Sequence, residues 1–513
     1  MTRHLPACRS LLALLLLVSP GGRAHAEESA AREISIRECV ETALRNNLDI
    51  AVSRAEKEIG EQGIPIEEAA FLPRFTGELG ETRSVLPAGS VLDNSLSVEQ
   101  RITTFDLGAA TLFRTGTALT FSFESERTET DSAIALLSPE YRTALTLKAQ
   151  QPLLKNFGRK VTEAPLAIAR AGAAGKTEEW RAKVMDVVAA ARIAFLAFSA
   201  ATREVEVRRS ALELAERLLT RTNARIDAGA SAPMDRLPAE AAVAARKEEL
   251  LRAEAAAQGA ADDLKNLLGV RSGPEWEEEL VPLPVTGEIP PPGPGETFEE
   301  ALRNRPEFSV QTSLREQATI REAVARNQAL PSLDLSLSAG LSGLSGTPNA
   351  NPLFPSSTGA FEGGYSESLD RTFSGRYHNW FVGLSTEIPW RFDREKAEWA
   401  RARAASEQQR IAGEALSARI RMEVRKGRRD LESARARIEA ARVSVAAAAR
   451  QLDAEERKFE LGRSTVFQLL QVQQDLSEAR LAEVHARMDA YVAQTRLWRA
   501  VGTILEKEGI RIR

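Results

Sequence analysis

The sequence predicts an α+β chain of two tandem structural repeats, each joining a strand region to a long antiparallel helical hairpin. Three observations predict it. Landmark residues recur at two constant offsets, two very long blocks are rich in Ala, Glu, Arg and Leu, and several segments alternate polar and apolar residues strictly.

The duplication comes first. Ala43-Leu44-Arg45-Asn46 recurs as Ala301-Leu302-Arg303-Asn304, and the same offset of 258 carries Phe71-Leu72-Pro73 onto Ala329-Leu330-Pro331. A second offset, 233, maps Arg170-Ala171 onto Arg403-Ala404, Gly229 onto Gly462, Leu237 onto Leu470 and Gly269 onto Gly502. The first half is therefore 25 residues longer somewhere between Pro73 and Arg170. These landmarks divide the chain into a first repeat over 27–269, a linker over 270–296, a second repeat over 297–502 and a C-terminal tail over 503–513. The linker holds Pro274, Pro282, Pro284, Pro290, Pro291, Pro292 and Pro294, so it is expected to run extended along a surface.

Residues 1–26 read as a removable signal peptide. Arg3, His4 and Arg9 precede the apolar run Leu11–Val18, and Ala24-His25-Ala26 supplies a small-residue cleavage site. Its loss takes Lys and Arg from 68 to 65 against 72 Asp and Glu, a mature net charge of −7, which argues against nucleic acid as a partner. Cys8 leaves with the signal, so Cys39 has no internal disulfide partner and reads as a small buried hydrophobe. Only His378 and His485 remain, and no zinc spacing, phosphate loop or nucleophile elbow is present. No cofactor or metal is expected. No helical membrane span is expected either, since the nearest candidate, Val187–Ala201, carries Arg192 in its middle. A barrel wall remains open, because its strands leave a weaker signal.

Each repeat opens on a capping-box pattern, Ser35-Ile36-Arg37-Glu38 and Thr297-Phe298-Glu299-Glu300. The first helix carries Val40, Leu44, Ala51, Ala55 and Ile59, and Pro65 ends or kinks it. The long blocks are Thr162–Asp227 and Asp393–Leu461, with Thr162 and Asp393 as N-caps and Pro165 in a first turn. Some 65 residues at about 1.5 Å each make a rod of roughly 100 Å, which has to bury its stripe against other rods. Seven-residue spacing at Val445, Leu452 and Phe459, and three-to-four spacing at Leu469, Val472 and Leu476, suit close pairing of helices. Each rod ends at a short turn around Gly229 or Gly462, after which an arm returns to about Leu268 or Val501.

Period-two alternation marks Ser332–Ala339, Trp380–Ile388, Leu119–Glu124 and Leu145–Ala149, and more weakly Arg74–Arg83. Ser342–Gly364 reads as an exposed loop, and His378, beside Tyr377 and Trp380, as an interfacial residue at a strand's start. A sheet edge in lipid is prohibitive, so strands this few must close with other copies of the chain.

In this order, and duplicated, the residues resemble the TolC family of outer-membrane efflux and secretion channels. The marks are Ala43-Leu44-Arg45-Asn46-Asn47 with Phe71-Leu72-Pro73, the second copy at Ala301–Pro306 with Leu330-Pro331, Gln151-Pro152-Leu153-Leu154 ahead of Gly158-Arg159, and the two glycine turns. The resemblance implies an α+β membrane protein. Its long antiparallel hairpins would form a periplasmic tunnel and its antiparallel strands would contribute to a trimeric outer-membrane β-barrel. That barrel would have twelve strands, two from each half of each subunit. It implies a passive exit duct in the cell outer membrane, a homotrimer held in outer-membrane lipid, which serves a tripartite efflux or type I secretion system. A periplasmic adaptor would meet the hairpin tips and link the duct to an inner-membrane pump. The matching tip positions are Arg225, Gly229, Ser231 and Met234, then Lys458, Gly462, Ser464 and Val466. For the periplasmic aperture they are Asp235, Phe459, Arg463 as a partner for Asp235, and Gln468 and Gln471. The two glutamines stand where some members carry aspartates that ring the pore, so a strongly acidic entrance is not expected.

Plainer readings stand beside these. Gly229 and Gly462 terminate helices whatever else they do. Asp235 can cap a helix, Arg463 can be a solvated charge, Phe459 continues the seven-residue stripe, and His485 is structural. Long hairpins also suit a periplasmic coiled-coil adaptor or scaffold, which the alternating strands disfavour. An exported enzyme needs a concave site that rods do not supply.

Overall fold

The computed structural model describes residues 32–511 apart from 90–91, 93–94 and 351–357, so the expected signal peptide lies outside the described residues. The first repeat runs β1 (Arg32–Ile34), α1 (Ile36–Asn46), α2 (Leu48–Glu68), β2 (Arg74–Pro87), β3 (Ser97–Leu112), β4 (Ala118–Thr130), β5 (Leu137–Pro152), α3 (Arg159–Thr162), α4 (Ala164–Asp227) and α5 (Arg236–Leu267). The linker holds α6 (Pro274–Glu277) and β6 (Leu280–Pro282). The second repeat runs α7 (Phe298–Asn304), α8 (Pro306–Gln328), β7 (Ser332–Pro348), α9 (Tyr365–Phe373), β8 (His378–Glu387), α10 (Asp393–Glu460) and α11 (Val466–Val501), and α12 (Ile504–Lys507) follows.

Both opening caps form. The Ser35 and Thr297 hydroxyls accept from the amides of Glu38 at 3.1 Å and Glu300 at 3.4 Å. The single opening helix expected from the sequence is instead two, because Asn47 leaves the helical region and its side chain accepts from the amides of Asp49 and Ile50. The matching break is at Arg305, where the following Pro306 disfavours helical geometry. The duplicated tetrapeptides therefore mark a duplicated break. Each break is held by a duplicated glycine. Gly269 (φ +78°) lies so close to Asn46 that a Cβ would fall 2.5 Å from its carbonyl oxygen, and Gly502 (φ +85°) lies against Asn304 in the same way, with a Cβ 2.9 Å from its carbonyl carbon.

α2 runs past Pro65 to Glu68. The first rod starts at Ala164, after a separate turn of helix that ends at Thr162, so Thr162 is not its N-cap; Asp393 is the first helical residue of α10 and Phe392 the cap. α4 pairs with α5 and α10 with α11, and α4 also packs against α11. The apolar window of α4 is long and apolar enough to cross a bilayer, contrary to the sequence reading, yet 67% of it is buried inside the protein. Its Phe195, Met185, Val188 and Ala191 are fully buried with Cys39 and Val40 of α1, Leu264 of α5 and Ile504 of α12. A second cluster gathers Ile420, Val424 and Leu431 of α10 with Leu497 and Val501 of α11, and Gly427 allows Leu497 to approach the α10 backbone.

The ends of the second repeat are tied into these two apolar clusters, which form the equator of the molecule. The tail packs inward: Ile504 and Leu505 join the core and Glu508 pairs with Arg192. The linker runs as a strap: β6 pairs in parallel with β1, and Tyr491 donates its hydroxyl to the Gly287 carbonyl at 2.7 Å.

The six strands β2-β3-β4-β5-β7-β8 form one antiparallel sheet in that order. The first repeat thus supplies four strands rather than the two per half that the resemblance implies. β3 was not legible as a strand, and β7 continues to Pro348, so the first part of Ser342–Gly364 is strand rather than loop. Register places Phe75, Ala109, Phe121, Leu147, Ala339 and Trp380 side by side across all six strands on one face. The next rung, Thr76, Gly108, Ser122, Thr146, Gly340 and Asn379, lies on the other. One face is apolar and the other polar, as period two requires. α9 packs on β5 and β7, where Thr143 exchanges hydroxyl hydrogen bonds with Ser368 at 2.8 Å and Thr372 at 2.6 Å.

Candidate functional site

The two turns that join the rods to their returning arms lie together. α4 stops because Gly229 takes φ +72°, which lets the Ala230 amide reach back to the Arg225 carbonyl at 2.8 Å. α10 stops in the same way at Gly462, φ +69°, with the Arg463 amide on the Lys458 carbonyl at 2.8 Å. Two turns 233 residues apart in sequence thus share one backbone solution.

The returning arms are capped differently. Asp235 accepts from the Ala232 amide at 3.2 Å and closes a short turn before α5. Thr465 and Gln468 form a reciprocal capping box on α11, with the Gln468 amide 3.2 Å from the Thr465 hydroxyl. Ser464 donates to Glu455 at 2.5 Å, and Lys458 lies 2.9 Å from the same carboxylate. The Ser464 hydroxyl first, then the Lys458 ammonium, holds the Glu455 carboxyl below its usual range. Gln471 donates to Asp475 at 3.0 Å, one turn along α11.

Arg225 joins the two tips. Its guanidinium donates to the Phe459 carbonyl at 2.7 Å and to Ser231 at 3.3 Å, and it lies 4.9 Å from the centre of the Phe459 ring. Phe459 is buried with Leu218, Leu452, Val466 and Leu469. The plain reading of Phe459 as part of the stripe describes where it sits, and its carbonyl adds a polar link. Val466, expected among the contact positions, is buried beneath the tip. Asp235 and Arg463 are not brought together: among the described residues no ion pair joins them, and Arg463 is exposed.

The sequence reading named Met234 at the tip but missed the other apolar residues around it, Leu237, Leu461 and Phe467. Met234, Leu237, Leu461 and Phe467 are 66–73% exposed in a region otherwise charged or capped. Spacing held the signal for Phe467, since with Val466 and Leu469 inward it falls outside the stripe. At the opposite end of the rods the apolar sheet face is equally bare, with Phe75, Leu79 and Trp380 each more than 70% exposed. A band of that kind across six strands, beyond roughly 100 Å of helix, defines the wall of a membrane channel with a periplasmic extension.

The comparisons agree. The model of the outer membrane efflux protein family matches residues 39–270 and 297–503, so the chain belongs to that family. The unmatched stretch between them is the linker. No curated protein matches the chain in sequence. Among solved structures it is similar to the outer membrane protein VceC from Vibrio cholerae, with 16% identity, 91% of this chain and 96% of that one covered, and a TM-score of 0.65. The Campylobacter jejuni CmeC outer membrane channel gives 15%, 91%, 86% and 0.64 for the same quantities. The open state of the Neisseria gonorrhoeae MtrE outer membrane channel gives 18%, 92%, 89% and 0.59. The protein is an outer-membrane exit duct of the kind that serves tripartite pumps, with its helical part in the periplasm. The family is one of outer-membrane efflux proteins, which sets aside the adaptor reading.

Proposed function

We propose that three copies close side by side into one hollow pipe, and that a periplasmic adaptor docks on the tips to couple it to an inner-membrane pump. Cargo moves passively through the lumen and the partner supplies the energy. Opening requires the tips to splay, and the Arg225 link between the two tips of each subunit resists it. Gly229, Ser231, Gly462 and Ser464 set the shape of the docking end, with Lys458 at its rim. Phe459 and Arg225 hold the aperture, while Gln468 and Gln471 keep it free of a dense carboxylate ring.

The observation that carries this reading is the set of bare apolar side chains at the tips, Met234, Leu237, Leu461 and Phe467. Exposed apolar patches rimmed by polar groups mark contact surfaces. Photocrosslinkers placed singly at Met234 and Phe467 in whole cells test it. They are expected to yield adducts with an inner-membrane-anchored protein built on a long helical hairpin. A crosslinker at Met422, an exposed mid-rod position, is expected to yield none. Adducts confined to other copies of this chain, or equal capture at Met422, would overturn adaptor docking. Sedimentation of the detergent-solubilised protein as a single subunit would overturn the trimer.

A further inference from the structure

We infer that the first repeat contributes a second β-hairpin to the membrane wall, so that the assembled trimer closes an eighteen-stranded barrel with an exit wide enough for bulky cargo. This rests on the three-copy reading above. The hairpin lies where the first half carries its extra residues, between Pro73 and Arg170.

Four observations place all six strands in the wall. β3 and β4 are paired on both sides over most of their length, β3 to β2 over fourteen residue pairs, β3 to β4 over thirteen and β4 to β5 over eleven. The apolar rung from Phe75 to Trp380 crosses every strand without interruption. Each strand has at least the ten residues of β8, the length a tilted strand needs to cross the hydrocarbon core. The charged cross-strand pairs on that same face, Arg83–Glu99, Arg101–Glu81 and Arg101–Glu129, lie toward one end of the strands, leaving the apolar band clear.

The sheet then has two bare edges, β2 and β8. Open edges do not persist in lipid, so each must pair with another copy. The strands alternate in direction along the order, so β2 and β8 run opposite ways. Edge β8 of one copy therefore meets β2 of the next in antiparallel sense, and the ring closes with an even strand count. With strands about 4.8 Å apart and tilted about 40°, eighteen strands give a backbone diameter of about 36 Å, against about 24 Å for twelve.

Disulfide crosslinking of the full chain, in a Cys39→Ala background, tests the arrangement. Val382→Cys on β8 is combined with Phe75→Cys, Gly77→Cys or Leu79→Cys on β2, and separately with Leu119→Cys, Phe121→Cys or Phe123→Cys on β4. All seven positions share the apolar face. Oxidation is expected to give linked dimers and trimers with at least one β2 partner and none with β4. Adducts through β4 alone would mean a four-strand contribution per copy and would overturn the eighteen-stranded barrel while leaving the trimer standing. No adducts in either set would overturn both.

A second measurement uses Ser338→Cys on the polar face, labelled from outside the cell with maleimide polymers of graded size. Excising 97–130 is expected to lower the largest reacting polymer diameter by about one third or more, in line with the fall in backbone diameter from about 36 Å to about 24 Å. An unchanged cut-off in an excised protein that still inserts would overturn the inference. Should the excised protein fail to insert, the crosslinking decides.

Discussion

The Arg225 guanidinium donates to the Phe459 carbonyl at 2.7 Å and lies over the Phe459 ring, tying together two tips 234 residues apart in sequence. Phe459 is buried and fixed by α10, so it gives Arg225 a rigid anchor. Removing the side chain leaves that carbonyl without its charged donor and frees one tip from the other.

Arg225→Ala is therefore expected to raise the conductance of the resting channel severalfold in a planar bilayer. The loss of a charge-assisted hydrogen bond and a cation–π contact amounts to about 2 kcal/mol. Arg225→Lys keeps the charge but not the planar fork, and is expected to fall between. Unchanged resting conductance in Arg225→Ala would show that the tips are held by other contacts.

The glycines at the helix breaks make a stability prediction with a built-in control. A Cβ at Gly269 would lie 2.5 Å from the Asn46 carbonyl oxygen, and one at Gly502 would lie 2.9 Å from the Asn304 carbonyl carbon. Gly509 has a similar φ, +68°, and open space around it. Gly509→Ala is expected to cost about 1 kcal/mol, from backbone conformation alone. Gly269→Ala and Gly502→Ala are expected to cost more, and by similar amounts, since the two joints repeat each other. Thermal dissociation in detergent reads the order, and equal losses at all three positions would refute the packing argument.

Those joints also show what was legible in the sequence. The break at Asn47 is hidden, because the apolar spacing of Val40, Leu44 and Ala51 runs straight through it. Caps and glycine turns are local, so Ser35, Thr297, Gly229 and Gly462 announce themselves in a few residues. β3 did not, because its apolar residues change face: Val98 and Ile102 point to one side and Phe105 and Leu107 to the other, so no single alternation runs through it. The Arg225–Phe459 link joins the repeats, and no spacing within either repeat encodes it. The burial of Val466 follows from the packing of α11 on three neighbouring helices' side chains, a tertiary fact, although the stripe Leu469–Val472–Leu476 pointed the same way.

At the equator, Glu307 accepts from Arg305 at 2.9 Å and from Arg499 at 2.7 Å; Arg305 also reaches Glu423 and Arg499 reaches Asp186. Burial pushes the Glu307 carboxyl up, but the hydrogen bond from Arg305 and the charge of Arg499 outweigh it and bring it down to about 2. With an ordinary value of 4.5, the charged form is favoured in the folded state. The stabilisation is complete above pH 4.5 and is lost as pH falls from there through about 2, to the extent of about 3 kcal/mol. Glu307→Gln is expected to be less stable at neutral pH and to lose less on acidification over that window. Parallel acid profiles for the two proteins would exclude Glu307 as the source.

The buried pair Arg192–Glu508 makes the sharpest test of how the chain's end is fastened. Arg192 sits in the apolar window of α4 with its side chain 9% exposed, and Glu508, just past α12, is 11% exposed. Arg192 also donates to Thr495 at 3.2 Å and lies 5.0 Å from the Trp498 ring centre, so α4, α11 and the chain end meet at one guanidinium. Burial lowers the Arg192 pKa against the opposing pull of Glu508, yet a guanidinium keeps its charge at any physiological pH. Truncating one partner strands the other charge in a dry site, and Arg192→Ala is expected to cost about 3–5 kcal/mol. Replacing both, as Arg192→Met with Glu508→Leu, removes both desolvation penalties and fills the same space. The double variant is therefore expected to recover most of the loss, and to dissociate thermally close to the parent. If it were as unstable as Arg192→Ala, the contacts to Thr495 and Trp498, rather than the ion pair, would be what holds the end of the chain in the equator.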